Sequence, residues 1–440
     1  MDELFNSVFD KENLQKIYYE KMMDCHCTPG IDNINSKLFQ SNIENNTVLV
    51  NKKICAGTYK FTKYKQQLIL KGEGKPPRAI CIATIRDRLA MRALNSYIRE
   101  IYKNDVDTSL LHSKINDIKT NIQNYNSYIK LDIKRFYSSI NHEKLMNQLK
   151  KKIDNELVLD LILKAITTCA VPVPFNSKNI KIERKKIGIP EGLSISNVLA
   201  DIYLIDIDNY FINNKNIFYI RYVDDILLLC DYSNLEALKS EIKEMLSNLD
   251  LTVNEKADDG DISNSFTYLG YKFDGKVVSV RSSSIDKYEH SIEKLFINYK
   301  RLNNPELFLW KLNLKISGCV YNNRKYGWLF FYSQLTDEKL LHHLDWYVKH
   351  LMVRFGVKDI DESKIKKFVK SYYEINYNLQ QSTYLINLNS YSNEDRVNII
   401  SKIYKKTVHN ADDIFEVLKV FNEIVFKDIK DLEEDIQFFS

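Results

Sequence analysis

The sequence predicts an α+β fold, on three observations. The stretch Phe218-Tyr219-Ile220-Arg221-Tyr222-Val223-Asp224-Asp225-Ile226-Leu227-Leu228-Leu229-Cys230 sets two β-favouring runs on either side of adjacent acids. That is the pattern of a tight hairpin with Asp224 and Asp225 at its tip. Tyr128-Ile129-Lys130-Leu131-Asp132-Ile133 is a second short strand, and it too carries a carboxylate near its end. Elsewhere apolar residues recur at helical spacing, as at Leu340, Leu344, Tyr347 and Leu351. With 44% hydrophobic residues and Gly at only 12 of 440 positions, the chain is globular, helix-rich and long enough for two or three domains.

Taken in order, Asp10 to Asp24 predicts a helix closed by the turn-forming Thr28-Pro29-Gly30-Ile31-Asp32-Asn33, and Asn35 to Asn45 predicts another. Lys60 to Ala83 predicts two strands around Gly72-Glu73-Gly74-Lys75-Pro76-Pro77. Such a basic hairpin is suited to gripping phosphate through Lys71 and Arg78. Ile85 to Tyr102 continues as a helix bearing Arg86, Arg88, Arg92 and Arg99, and helices fill Glu143 to Thr168. Gly188-Ile189-Pro190-Glu191-Gly192-Leu193-Ser194-Ile195-Ser196-Asn197 opens a helix reaching about Phe211. Its glycines allow close backbone approach, whether to a base pair or only at a helix entry. Asp201, Asp206 and Asp208 on that helix read as surface or capping residues. Leu235 to Leu249 is helical, and Leu251 to Lys256 and Phe266 to Phe273 predict strands closing one sheet. Ser284 onward is helical, and Lys364 to Leu379, Glu394 to Thr407 and Ala411 to Glu434 give an all-helical C-terminal region without a chemical motif.

The net charge of +5 is modest but unevenly spread. Asn51 to Lys103 holds 13 Lys and Arg against three acids, and Arg281 to Lys325 holds nine against four. Two basic regions flanking an acidic hairpin suit a polyanion held on both sides of a metal site. The acids themselves point to a cation: at an effective dielectric of ~20, like charges about 4 Å apart repel by roughly 4 kcal/mol, and a divalent ion offsets that. Seven scattered cysteines fit a reducing compartment. Cys25-His26-Cys27 has no second pair at zinc spacing, which argues against a structural zinc. The start, Met1-Asp2-Glu3-Leu4-Phe5, lacks the basic and apolar regions of a signal peptide, and no apolar run approaches the ~20 residues of a membrane span. A cytoplasmic location without a membrane partner is the expectation.

In sequence order these pieces resemble the reverse transcriptases from about Gly30 to Asp345. Asp132 with Phe136-Tyr137 is similar to the first palm motif, and Gly188 to Gly192 with Ser194 to Asn197 to the template-contacting motif. Tyr222-Val223-Asp224-Asp225 is similar to the catalytic motif, and Leu251 to Lys256 and Tyr268-Leu269-Gly270-Tyr271 to the two that follow it. Pro29-Gly30-Ile31-Asp32 and Lys71 to Arg88 resemble the fingers of bacterial, group II intron-like enzymes. Glu191 stands where most relatives have Gln. The Asn-Ala-x-x-His and Val-Thr-Gly elements usual in retron enzymes do not occur. Ile316 to Val320, Tyr326 to Ser333 and Leu341-His342-His343-Leu344-Asp345 look instead like the phage-defence enzymes of the abortive-infection and unknown groups. His342 and His343 read as helix-surface residues.

The resemblance implies a right-hand polymerase. Residues 1–127 would form an N-terminal segment and fingers; 128–280 a palm with an antiparallel sheet and a helical fingers insertion at about 143–187; 281–360 a helical thumb; and 361–440 an all-helical extension. It implies two Mg²⁺ ions, with Mn²⁺ a possible substitute, on Asp132, Asp224, Asp225 and the Ile133 carbonyl, and Lys256 as proton donor to the leaving group. Lys71, Arg78, Phe136, Tyr137 and Gly192 would bind the incoming nucleotide, with Tyr137 rejecting a 2′-hydroxyl. Arg86, Arg88, Gly188, Pro190, Ser194 and Tyr222 would contact template and primer. The expected partners are an RNA template, which a dedicated non-coding RNA would supply, a DNA product, dNTPs, and either a second copy or an accessory defence protein. A protein-primed, template-independent DNA polymerase is the alternative activity, and an inactive RNA-binding scaffold the alternative from another class.

Overall fold

The computed structural model describes residues 2–23, 28–70, 77–173, 186–254, 258–302, 304–408 and 410–436. Cys25-His26-Cys27, Lys71, the hairpin tip after it and Lys256 lie outside these ranges. The chain divides into two units: residues 1–109 with 127–259, and residues 110–126 with 260–440.

In the first unit, strands β1 (Tyr64–Ile69), β2 (Arg78–Ile82), β3 (Ser127–Asp132), β4 (Ala170–Val171), β5 (Phe218–Tyr222), β6 (Asp225–Cys230) and β7 (Asp258–Asp261) build two sheets, ordered β2-β1-β4 and β5-β6-β3-β7. The hairpin read from the sequence is β5–β6. Strand β6 is buried from Ile226 to Cys230 without alternation, because both of its faces are covered. At the far end of the β3–β6 ladder the buried Ser127 Oγ donates to the Cys230 carbonyl at 2.8 Å.

The helix Ile85–Ile101 buries Leu89, Ala90, Ala93, Leu94, Tyr97 and Ile98. Its N-cap Thr84 accepts from the Asp87 N–H, and the fully buried Asp87 accepts in turn from Tyr59 Oη (2.8 Å) and Thr62 N (3.0 Å). The predicted helix Asn35–Asn45 is two, Ser36–Gln40 and Ile43–Cys55, because the chain turns at Ser41-Asn42. The helix after Ile195 likewise breaks at Leu204 into Ser196–Tyr203 and Ile205–Ile212.

The second unit corrects two further expectations. Phe266 to Phe273 is not one strand closing the β5-β6-β3-β7 sheet. It is a hairpin of β8 (Phe266–Tyr268) and β9 (Tyr271–Asp274), which with β10 (Val277–Val280) forms a separate sheet. Leu269 (φ +47°) and Gly270 (φ +82°) make its two-residue turn, the left-handed pair that tight hairpins need. The C-terminal region is not all-helical either: β13 (Ile386–Asn387) pairs in parallel with β11 (Cys319–Tyr321), which also pairs with β12 (Arg324–Tyr326). Helices Ser282–Leu302, Pro305–Ser317, Glu338–Arg354, Phe368–Tyr377 and Ile414–Glu434 pack around these sheets, with Val417, Phe421 and Val425 of the last against Leu314 and Cys319. No described helix is long and apolar enough to cross a membrane.

Candidate active site

Register brings the acids together. In the antiparallel β3–β6 ladder Asp132 faces Asp225 directly, and Asp225 closes the β5–β6 hairpin opposite Tyr222. Asp224 sits in the two-residue turn, and its carbonyl accepts the Ile133 N–H at 3.1 Å. Ile133 itself is buried. Asp132 thus shares one end of one sheet with Asp224 and Asp225, more than ninety positions further along the chain.

The turn is strained and then held. Val223 has φ +57°, where a β-branched residue costs about 1–3 kcal/mol. The nearly buried Arg221 donates through Nη1 to the Val223 carbonyl at 2.8 Å. The same guanidinium pairs with Asp208 (Nε–Oδ1 2.8 Å, Nη2–Oδ2 2.6 Å) and with Asp201 (Nη1–Oδ1 3.2 Å). Asp201 and Asp208 are therefore half-buried anchors rather than surface or capping residues. Burial pushes the Asp201 carboxyl up while Arg221 pulls it back. Asp206 does lie on the surface, bonded to Lys151 and Gln148.

Electrostatics single out Asp225. Burial, then the charges of Asp224 and Asp132, push its carboxyl up to about 7 against a smaller opposing pull from Lys130. Asp132 is steadied by Asn254, whose side-chain amide donates to Oδ2 at 2.6 Å and whose N–H donates to the Asp132 carbonyl at 2.8 Å. The donor set suits a divalent cation in its chemistry and its backbone placement. Among the described residues, however, no three Asp, Glu, His or Cys side chains are already arranged to hold an ion.

Beside the acids, Tyr137 Oη donates to Asn197 Oδ1 at 3.0 Å, and burial first, then Asp201 and Asp224, pushes its phenol up to about 12. Phe136 is 2% exposed, so it supports Tyr137 from the core instead of offering a face to a ligand. Tyr222 remains 37% exposed next to Asp225, and Ser194 is exposed. The Pro190 carbonyl accepts Ser196 Oγ at 2.7 Å.

The two glycines of the 188–193 loop approach protein backbone. A Cβ on Gly192 (φ +96°) would sit 2.6 Å from Ile80 Cγ2 and 3.0 Å from the Cys81 carbonyl oxygen. One on Gly188 (φ +92°) would meet the Ser138 carbonyl at 3.1 Å. Arg78 is ion-paired to Glu191. Arg88 directs its guanidinium to the carbonyls of Ala83 (2.9 Å) and Thr28, tying its helix to the preceding turn. Arg86 is half-buried one turn earlier. In the second unit, Lys311 and Lys315, expected to track nucleic-acid backbone, pair with Asp428, Asp431 and Asp435 instead. Sequence reasoning missed Arg221, Asn254 and Asn197. The only local hint was an Arg two residues before a strained turn.

Carboxylates brought to one end of a sheet beside a glycine-bearing loop are a donor set suited to metal-assisted nucleotidyl transfer. Residues 69–273 match the family described as reverse transcriptase (RNA-dependent DNA polymerase). Over that stretch, just under half of its length, the chain carries a reverse transcriptase (RNA-dependent DNA polymerase) domain. It is 22% identical over 294 residues to Protein YkfC of Escherichia coli, covering 56% of this chain and 75% of that protein. It is 25% identical over 167 residues to the group II intron-encoded protein LtrA of Lactococcus lactis subsp. cremoris, covering 36% of this chain but only 27% of LtrA. Among solved structures it is similar to telomerase from Candida albicans in complex with a TWJ fragment of telomeric RNA, at 15% identity and TM-score 0.43, covering 90% of this chain and 67% of that one.

Proposed function

We propose that this chain copies an RNA template into cDNA by two-metal nucleotidyl transfer and serves bacterial antiphage defence. The observation that carries the chemistry is the Asp132–Asp225 register beside the Asp224 turn. Asp132, Asp224, Asp225 and the Ile133 carbonyl would hold Mg²⁺, or Mn²⁺ in its place. Bound there, the ions supply a more acidic attacking 3′-hydroxyl and charge neutralisation at the triphosphate. Asn254 fixes the Asp132 carboxylate, and Arg221 fixes the carbonyl next to Asp224. Arg78, with Lys71, binds the triphosphate; Tyr137, braced by Asn197 and Phe136, meets the sugar; Lys256 protonates the leaving group. Residues 1–127, 128–280, 281–360 and 361–440 serve as fingers, palm, thumb and extension. The defence role rests on the similarity of Ile316 to Asp345 to phage-defence enzymes, and a cytoplasmic site of action is part of the same proposal.

The test is incorporation of labelled dNTPs by purified protein with Mg²⁺ and co-purifying nucleic acid. Product destroyed by DNase, and lost when RNA is digested beforehand, is expected. Label retained on the protein would replace this reading with the protein-primed one, and no incorporation at all would leave an RNA-binding scaffold.

A further inference from the structure

The ion pair between Arg78 and Glu191 places a carboxylate on the one described cation of the basic hairpin that the proposed mechanism assigns to the triphosphate. The pairing is built by the backbone. Glu191 is fastened to β2 by its own carbonyl, which accepts the Cys81 N–H at 2.8 Å, three residues along the strand from Arg78. Gly192 follows, pressed so closely on Ile80 and Cys81 that no side chain fits there. From the other side the loop is tied to residues 137–142: Ile189 N donates to the Tyr137 carbonyl at 2.7 Å, Gly188 N donates to the Ile140 carbonyl at 2.8 Å, and His142 Nε2 lies 2.8 Å from the Gly188 carbonyl. The loop is thus anchored on both sides, and the pair parts by side-chain rotation.

The Tyr137 phenol is within electrostatic reach of the paired Arg78 and Glu191 as well as of Asp201 and Asp224. Both partners are about a third exposed, at 34% and 28%. Pairs this accessible to water contribute only about 0–1 kcal/mol, which a polyanion readily outbids.

We infer that Glu191 is a displaceable lock on the triphosphate site. It holds Arg78 in the free enzyme, yields to the phosphates of an incoming nucleoside triphosphate, and takes Arg78 back as pyrophosphate leaves. A carboxylate at this position lowers nucleotide affinity and speeds product release, where an uncharged amide would do neither. Glu191 is on this account a positioning residue acting through Arg78, and the inference rests on the assignment of Arg78 to the triphosphate.

The test is a double-mutant cycle in nucleotide KM and kcat, made on the full chain with one template–primer. Glu191→Gln is expected to lower the KM for dNTP about three- to tenfold with kcat within about twofold or reduced, and to tighten inhibition by added pyrophosphate in parallel. Glu191→Asp should keep most of the wild-type KM. In an Arg78→Ala background, where KM is already raised, Glu191→Gln should change little. Equal lowering of KM with and without Arg78 would overturn the lock, leaving a general repulsion. A KM unmoved by Glu191→Gln while Arg78→Ala raises it would overturn the lock and keep the triphosphate assignment. A KM unmoved by Arg78→Ala would overturn the assignment itself.

Discussion

Each unit buries a cluster of charge, and the two are solved differently. In the second, Lys315 pairs with Asp435 and donates to Ser291 Oγ at 2.6 Å, while Asp428 accepts from Trp310 Nε1 at 3.0 Å and from the Tyr404 hydroxyl. Donors there match acceptors, and the cluster clamps the last long helix onto Pro305–Ser317. In the first, Arg221 with Asp201 and Asp208 is likewise a matched clamp. Around Asp225, just beyond it, like charge dominates: Asp224 and Asp132 push its carboxyl up and Lys130 pulls it back by less. Balanced buried charge is architecture, and a neighbouring imbalance marks where something from outside completes the set.

The sharpest way to break that contrast is to remove one acid of the like-charged group. Asp225→Asn is expected to cut dNTP incorporation by about 10³-fold or more, the scale of losing charge stabilisation worth several kcal/mol, with no loss of thermal stability. A melting temperature that falls with the activity would mean the acid is structural. Removing a matched charge should do the reverse. Lys315→Ala in the second unit should cost about 3–5 kcal/mol by urea denaturation, because it strands a buried carboxylate, and Arg221→Ala in the first should cost less, because Asp201 and Asp208 are only half-buried. Tyr137→Ala, which leaves every charge in place, should weaken discrimination against ribonucleotides by about tenfold or more while dNTP incorporation persists. Competition between dNTP and NTP in one reaction measures it.

The smallest effect is a pH slope. The Asp225 carboxyl is raised from 3.8 to about 7 on folding, so between those values the folded state holds more proton than the unfolded. Stability of the metal-free protein should therefore fall as pH rises from about 4 to about 7 and level off above it. Asp225→Asn should flatten this component in urea titrations across that window, and Mg²⁺ should reduce it.

What the sequence revealed was local. Strand period, an acidic pair at a turn and helical spacing each involve residues within a few positions, and they located β3, β5, β6 and the three carboxylates. What it hid was tertiary. Nothing near Asp201 or Asp208 says that Arg221, across a helix-to-strand connection, will pair with them. Asn254 lies 122 residues from the Asp132 carboxylate it supports. The glycines at 188 and 192 signalled close approach, but only the fold shows that the approached backbone is Ser138 and β2. The two-residue strand β13 carries too short a pattern to read, and its partner β11 lies more than sixty residues away.

The ladder between β3 and β6 has one more consequence. Its two ends are Ser127 with Cys230 and Asp132 with Asp225, so a pin at the quiet end sets the alignment at the reactive one. A chain that zipped up one step out of phase would turn Asp225 toward the opposite face of the sheet and still bury most of the same leucines. Such a molecule would be soluble, compact and inert. Turnover per molecule after refolding, rather than recovered protein, is the gauge that would expose it.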